Sequence, residues 1–349
     1  MSNIVSIGLP KRPNLAQRQA ALMKSFSGHR RHKDDVFWLK ENAELLNILA
    51  SSGAKVRPEA LEVYREFYDE LEERLTFFPQ YYRFLLSICL DLEDLGLAGN
   101  TGEALCRRVH DLDLAACELS DLQRAEAQHL LARRSGGGLS RALKGRLMRF
   151  MEQTDTFSRP NKKAAYELTH IVFYLSNYGA QALELPTDAL TSLEFAGLLA
   201  FLDRDVDLLA EVCTAQRFAG QTPSAIWEDW LALETGGFIL SSAPDGPSQD
   251  AYHEYLVTSW WAGTAGMAGF LGTPTAPGLR IDRARTSTGP LRSISELMYR
   301  LRSARSADWA RMRPVLHRSL AEEHHHILRD AEQSSPRFEV FFEGFARAQ

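Results

Sequence analysis

The stretch Asn161–Tyr178 reads NKKAAYELTHIVFYLSNY, and its pattern decides the fold class. After a charged start, Leu168, Ile171, Val172, Phe173 and Leu175 point in nearly every direction around a helix axis. A helix with so little room for a solvated face belongs in the middle of a protein, walled in by other helices. Gly179 ends it. The prediction is an all-α, multi-helix array, built either as an α/α toroid or as an irregular helical bundle. Periodicity does not choose between the two.

Helical signals continue on both sides. Asp34 and Asp35 can cap a helix carrying Phe37, Leu39, Leu45, Leu46 and Leu49, which stops near Gly53. Pro58 opens a second, with Leu61, Tyr64, Phe67, Tyr68, Leu71 and Leu75 at helical spacing, ending before Pro79. Tyr81–Leu95 closes at Gly96. Further helices are predicted over 103–109, 111–134, 139–153, 188–202, 204–217, 223–240, 250–271, 293–303, 307–333 and 336–346. Residues 1–14 read as a flexible lead-in and 15–349 as one large helical domain, with a subdomain break expected at 135–138, where three glycines follow Ser135. Two loops stand out, Ser241–Ser248 and Gly272–Leu291, the second long enough to suggest function or mobility. No alternating run bounded by turns predicts a strand, and no fixed-period repeat is visible.

The 349 residues are ample for a core without staples. Hydrophobic residues make up 45% and charged residues 24%, the balance of an ordinary globular chain. A net charge of -5 gives no bulk reason to bind nucleic acid or anionic membrane. The apolar stretches are too short to span a bilayer, and no secretory h-region opens the chain. None of the four cysteines sits in a C-x-x-C pair, so neither a disulfide framework nor a cysteine zinc site is expected. The expected location is the cytoplasm, with a small-molecule ligand rather than nucleic acid or membrane as partner.

The central helix nonetheless carries Glu167, Thr169, His170, Tyr174 and Asn177. Glu167 and His170 are three apart and share a face, with Tyr174 one turn beyond. Buried polar groups need protein, water or ligand partners. Five of the ten histidines have an acid three residues earlier, above the chance expectation of about 1.3. Glu-x-x-His puts a carboxylate and an imidazole where both can bind one metal, as in four-helix di-iron and di-manganese proteins. The candidate ligands are Glu167 and His170, with Glu322, His325 and His326 (and Glu323) as a second group; Glu44, Glu194 or Glu228 can supply further carboxylates. The implied cofactor is iron or another divalent transition metal. His170 and Tyr174 are the candidate catalytic groups.

Plainer readings compete. Glu322–His326 also reads as a solvated charged face. Glu126/His129 reads as a surface pair, and Asp250, three before His253, as a helix cap. Asp91, Glu93 and Asp94 read as solvated acids at a helix end, and Arg30, Arg31 and Lys33 as a solvated turn. Trp260–Gly269 reads as core packing. Arg280, Arg283, Arg285 and Arg292 can grip an anion.

The segments DDVFWLKENAELLNIL (34–49) and YELTHIVFYLSNYG (166–179), with the opening MSNIVS, resemble a family of uncharacterised all-helical proteins from alphaproteobacteria, over most of the chain. The element Leu168-Thr-His170-Ile-Val-Phe-Tyr174 is also similar to one in an uncharacterised actinobacterial family. The resemblance implies no activity; it draws attention to Thr169, His170 and Tyr174.

Three functional expectations follow. The first is a metal-dependent enzyme, a non-haem iron oxidoreductase on a Glu/His site. The second is a non-catalytic scaffold for a ligand or protein, with Glu167–His170–Tyr174 as a buried hydrogen-bond network. The third is a metal-free α/α-toroid enzyme with His170 as general base, Tyr174 as acid and the loop 272–291 as lid.

Overall fold

The structure, a computed structural model, describes residues 13–243, 249–274, 278–284 and 288–347. Most of the lead-in predicted at 1–14, residues 244–248 of the first loop and Arg285 lie outside these residues.

Helices follow one another in pairs. The first members are α1 (Leu15–Gly28), α3 (Leu71–Phe77), α5 (Thr101–Asp111), α7 (Arg141–Met151), α9 (Thr187–Asp203) and α11 (Ala225–Thr235). The second members are α2 (Val36–Ser51), α4 (Tyr82–Leu95), α6 (Asp121–Ser135), α8 (Lys162–Leu175), α10 (Val206–Phe218) and α12 (Tyr252–Thr264). A C-terminal group follows: α13 (Leu291–Leu301), α14 (Trp309–Ser319), α15 (Glu322–Ser334) and α16 (Phe338–Ala346). Single-turn helices fill some of the connections. Polar side chains start many of the helices by accepting from a first-turn amide: Asn14, Asp35, Ser120, Asn161 and Asp205 all do so. Gly96 and Gly136 end α4 and α6 in the left-handed conformation.

The even-numbered helices close a ring. Helix α2 packs on α4, α4 on α6, α6 on α8, α8 on α10, α10 on α12, and α12 returns to α2. Each odd-numbered helix packs against the even one that follows it, on the outside. All six ring helices run the same way. Residues in their first half or near their middle (Glu44, Arg83, Glu126, His170, Glu211 and His253) line one cavity. Their late residues (Ser51, Asp94, Arg133, Asn177, Phe218 and Thr264, some just past the helix end) line another. Six parallel inner helices with outer helices returning between them make an α/α toroid. The bundle alternative is thereby set aside, and the all-α prediction stands.

Helix α9 is the outer helix with the most buried residues, because α13 and α15 pack over it as an added layer. The buried apolar side chains of ring, outer helices and C-terminal layer form one connected cluster.

The predicted boundaries fail where a chain break or a distant partner decides. The stretch 111–134 is interrupted after Asp111, and α6 starts only at its Ser120 cap. The stretch 307–333 splits into α14 and α15 around Leu320–Ala321. The stretch 223–240 stops at Thr235 and becomes strand β1 (Phe238–Ser242). Strand β1 pairs antiparallel with β2 (Leu279–Arg283), Leu240 facing Ile281. The whole of α12 separates these strands, so no local hairpin signal existed. The loop 272–291, expected as a lid, therefore contains a strand fixed to the body.

Candidate functional site

The cavity at the N-terminal end of the ring has a volume of about 310 Å³, at the lower end of the range for small-molecule sites. Every ring helix contributes to its wall. Asp207 and Glu211 stand one turn apart on α10. Glu211 lines the cavity, and the Asp207 carboxylate flanks it. Next to α10, α12 brings in His253, and α2 brings in Glu44.

Among the described residues, one group of three metal-ligating side chains has its donor atoms within 4.8 Å of one another: Asp207, Glu211 and His253. His253 Nδ1 forms an ion pair with Asp207 Oδ1 at 2.9 Å, and its Nε2 is 3.7 Å from Glu44 Oε1. Tyr166 donates to Asp207 Oδ2 at 2.8 Å, and Thr169 donates to Glu211 Oε2 at 2.6 Å. Glu44 Oε2 is buried and has no hydrogen-bond partner among the described residues.

Three carboxylates share one imidazole here, and their acidities record the crowding. Burial, then the neighbouring Asp207 charge, push the Glu211 carboxyl up to about 8. Burial also raises Glu44. Burial alone would lower the His253 imidazolium, but Glu44, Asp207 and Glu211 outweigh it and push it up to about 10. Asp207 is the exception: burial would raise it, yet the contact with His253 holds it below the ordinary carboxylate value. Without a bound cation the cluster carries protons at neutral pH; a divalent cation would take their place.

His170 lies on the same cavity wall. Burial holds it below the ordinary histidine value, despite the nearby Glu126 carboxylate, so it is neutral and able to accept a proton. Tyr174 follows it on α8 and stacks between two imidazoles, 6.2 Å from the His170 ring and 5.7 Å from the His129 ring. Asn47, Tyr178 and Trp260 line both this cavity and the one at the opposite end of the ring, so they form the partition between them.

The predicted site residues are dispersed. His170 and Tyr174 face the cavity. Glu167, beside them in sequence, turns aside and pairs with Lys163 at 3.8 Å. Glu322 and His326 are exposed. His325 lies 3.2 Å from the Leu320 carbonyl oxygen and against the His317 ring. None of these joins His170 in a group of three close donors. Of the three further glutamates, Glu44 reaches the cavity; Glu194 binds Ser335 and Arg337, and Glu228 binds Arg217 and Trp261.

Several plainer readings need correction. His129 is not on the surface but buried against Tyr174, and Arg83 holds Glu126. Asp250 does not cap α12; it accepts from Arg30 and from the Ile281 amide. Arg30 is fully buried between Asp250 and Glu41 rather than in a solvated turn. Asp91 and Glu93 are not solvated either, being paired with Arg133 and Arg134. Trp260 lines the ring cavities as well as packing. Sequence reading missed Asp207 and Glu211. The available signal was two acids one turn apart on α10, a helix otherwise buried on most sides.

A family model described as "Domain of unknown function (DUF6902)" matches residues 1–348. The chain belongs to the DUF6902 family. Comparison with curated proteins gave no match, and comparison with solved structures gave none. Among the described residues, no helix is long and apolar enough to cross a membrane.

Proposed function

We propose that this DUF6902 protein is an enzyme working inside the toroid, with a divalent first-row metal held by Asp207, Glu211 and His253 and a small molecule bound beside it. The observation that carries this reading is the convergence of three donor atoms within 4.8 Å next to a buried, unpartnered Glu44 oxygen. Like charges are not brought together in a low-dielectric wall without cost, and a cation on the cluster would remove it. A set of carboxylate oxygens with one imidazole suits manganese, iron or zinc better than magnesium alone.

The iron oxidoreductase expected from the Glu-x-x-His pattern is kept as a chemical class, with its ligands moved from Glu167, His170 and the 322–326 group to α10, α12 and α2. Such a metal would supply Lewis-acid or redox chemistry when bound. The chain's own residues supply the rest. Tyr166 and Thr169 hold the two α10 carboxylates in place. Neutral His170, across the same cavity, is available to take a proton from a bound substrate, while Tyr174, raised well above the ordinary tyrosine value by burial, stays protonated.

The test is calorimetric titration of the metal-stripped protein with Mn²⁺, Fe²⁺ (anaerobically) and Zn²⁺. One equivalent should bind, and His253→Ala and Glu211→Gln should each weaken binding at least ~10-fold. No binding, or binding that both variants leave unchanged, overturns the metal reading and leaves the metal-free toroid enzyme, whose general base is His170.

A further inference from the structure

A second cavity, about 610 Å³, lies outside the ring at the same end. Its wall combines the turn between α9 and α10 with α11, β2 and the start of α13 and α15. Arg204 stands at that turn. Its Nε and Nη1 are buried without a partner, and its guanidinium makes no ion pair or hydrogen bond with the described residues. The group sits over two aromatic rings, its central carbon 4.4 Å from the Phe201 centroid and 4.7 Å from that of Trp230. Burial pulls this guanidinium down to about 10, against the more distant Asp330 and Glu234 charges. On the same cavity wall, His324 is only 7% exposed, and both of its ring nitrogens lack a hydrogen-bond partner among the described residues. The nearest carboxylate oxygen is that of exposed Glu323, at 3.9 Å.

An arginine and a histidine that line one cavity and keep buried, idle polar atoms are expensive to hold unless something accepts from them. Other charges on the wall are already spoken for. Lys162 pairs with Asp203 and Asp205, Arg283 with Glu234, and Arg292 with Glu296. Asp207 pairs with His253. Glu254 is the remaining acid of the wall and has no ion pair among the described residues, so an anion would be drawn to the Arg204–His324 side. The backbone is committed as well. Arg204 sits at φ 54°, a left-handed conformation uncommon outside glycine, asparagine and aspartate. Gly289 lies so close to the α9 end that a Cβ there would fall 2.1 Å from the Leu202 carbonyl oxygen.

We infer that this cavity binds an oxyanion, phosphate or carboxylate, through the Arg204 guanidinium and the His324 imidazole. The planar fork of arginine matches both groups bidentately. Asp207 belongs both to this wall and to the metal cluster. A ligand anchored here by its anionic end and long enough to extend along the wall to Asp207 would meet the cluster with its other end, which would make a small organic anion the substrate class; that extension rests on the proposed function, whereas the anion site does not.

Calorimetric titration with inorganic phosphate and, separately, with malonate tests the site. One equivalent of at least one should bind; phosphate alone, malonate alone or both identify which oxyanion fits. Arg204→Leu should weaken binding ~10-fold or more while leaving the melting temperature unchanged or higher, because it removes a half-buried cation that has no ion pair among the described residues. If Arg204→Leu does not fold, His324→Ala carries the same readout. Glu211→Gln, which breaks the metal cluster but keeps the Asp207–His253 pair of this wall, should leave anion binding within about twofold, so failure of one site is distinguishable from failure of the other. Absence of binding by both anions up to ~10 mM, a range of only a few kcal/mol, or affinities unchanged in the folded variant, overturns the inference.

Discussion

The two ends of the toroid are built from the same six helices and treat charge in opposite ways. At the C-terminal end, Asp91, Glu93 and Asp94 of α4 meet Arg133 and Arg134 of α6. Arg133 bridges Asp91 at 2.8 Å and Asp94 at 2.7 Å, while Arg134 bridges Glu93 at 2.8 Å and Asp94 at 3.1 Å. The arginines also sit in the last turn of their helix, where the dipole favours cations. At the N-terminal end, Asp207, Glu211 and Glu44 share His253, and a buried Glu44 oxygen has no hydrogen-bond partner among the described residues. The first turn of α10 favours the Asp207 charge but does not end the crowding, as the raised Glu211 shows. A fully paired cluster holds two helices together. A cluster short of positive charge is where a ligand completes the electrostatics.

The largest effect should come from breaking the paired end. Arg133→Met leaves Asp91, whose side chain is only 1% exposed, buried without its cation. It should cost about 3–5 kcal/mol in urea unfolding, and metal affinity in the folded fraction should stay as in wild type. Comparable loss of metal binding would mean that the two ends are not independent.

Next in size is the unpaired end under titration. Glu211, raised to about 8, holds its proton more tightly in the folded chain than in the unfolded one. Metal-free stability should therefore fall as pH rises from the ordinary glutamate range near ~4.3 through about 8. Glu211→Gln keeps an acceptor for Thr169 and should flatten that fall. A wild-type profile unchanged by the variant would remove Glu211 as its source. His253, raised to about 10, contributes stability that is complete below its ordinary value and is lost as pH climbs through about 10. Urea melts of His253→Gln should lack that upper limb.

Metal binding should follow the same carboxyl. Affinity for Mn²⁺ should increase with pH through about 8 and on toward about 10, because Glu211 and then His253 must release their protons to ligate. A pH-independent affinity would place the metal elsewhere.

The smallest effect belongs to the histidines that the sequence advertised most loudly. His326→Ala, at an exposed position, should change stability by less than ~0.5 kcal/mol and leave metal affinity unaltered. A tenfold loss of affinity would restore the 322–326 group as ligands.

That His170 and Tyr174 deserved a close look, both lining the ring cavity, was legible because polar groups stand out on a helix that is apolar almost all round. Thr169 was flagged too and proves to hold Glu211. Glu167 misled because a three-residue step on a helix leaves a wide angle between side chains, enough to turn it to Lys163. Asp250 and Arg30 misled for another reason: a first-turn acid and a basic turn look ordinary until the chain brings them together from 220 residues apart.

By itself, the sequence determined that this chain is a set of helices with a central one at 161–178, since hydrophobic periodicity, caps and glycine stops act within a few residues. Only the tertiary structure decided that alternate helices close a parallel ring, that β1 finds β2, and that Asp207, Glu211, His253 and Glu44 converge at one end. Those outcomes depend on which faces pack together across the whole chain, and packing between distant segments leaves no local periodic mark.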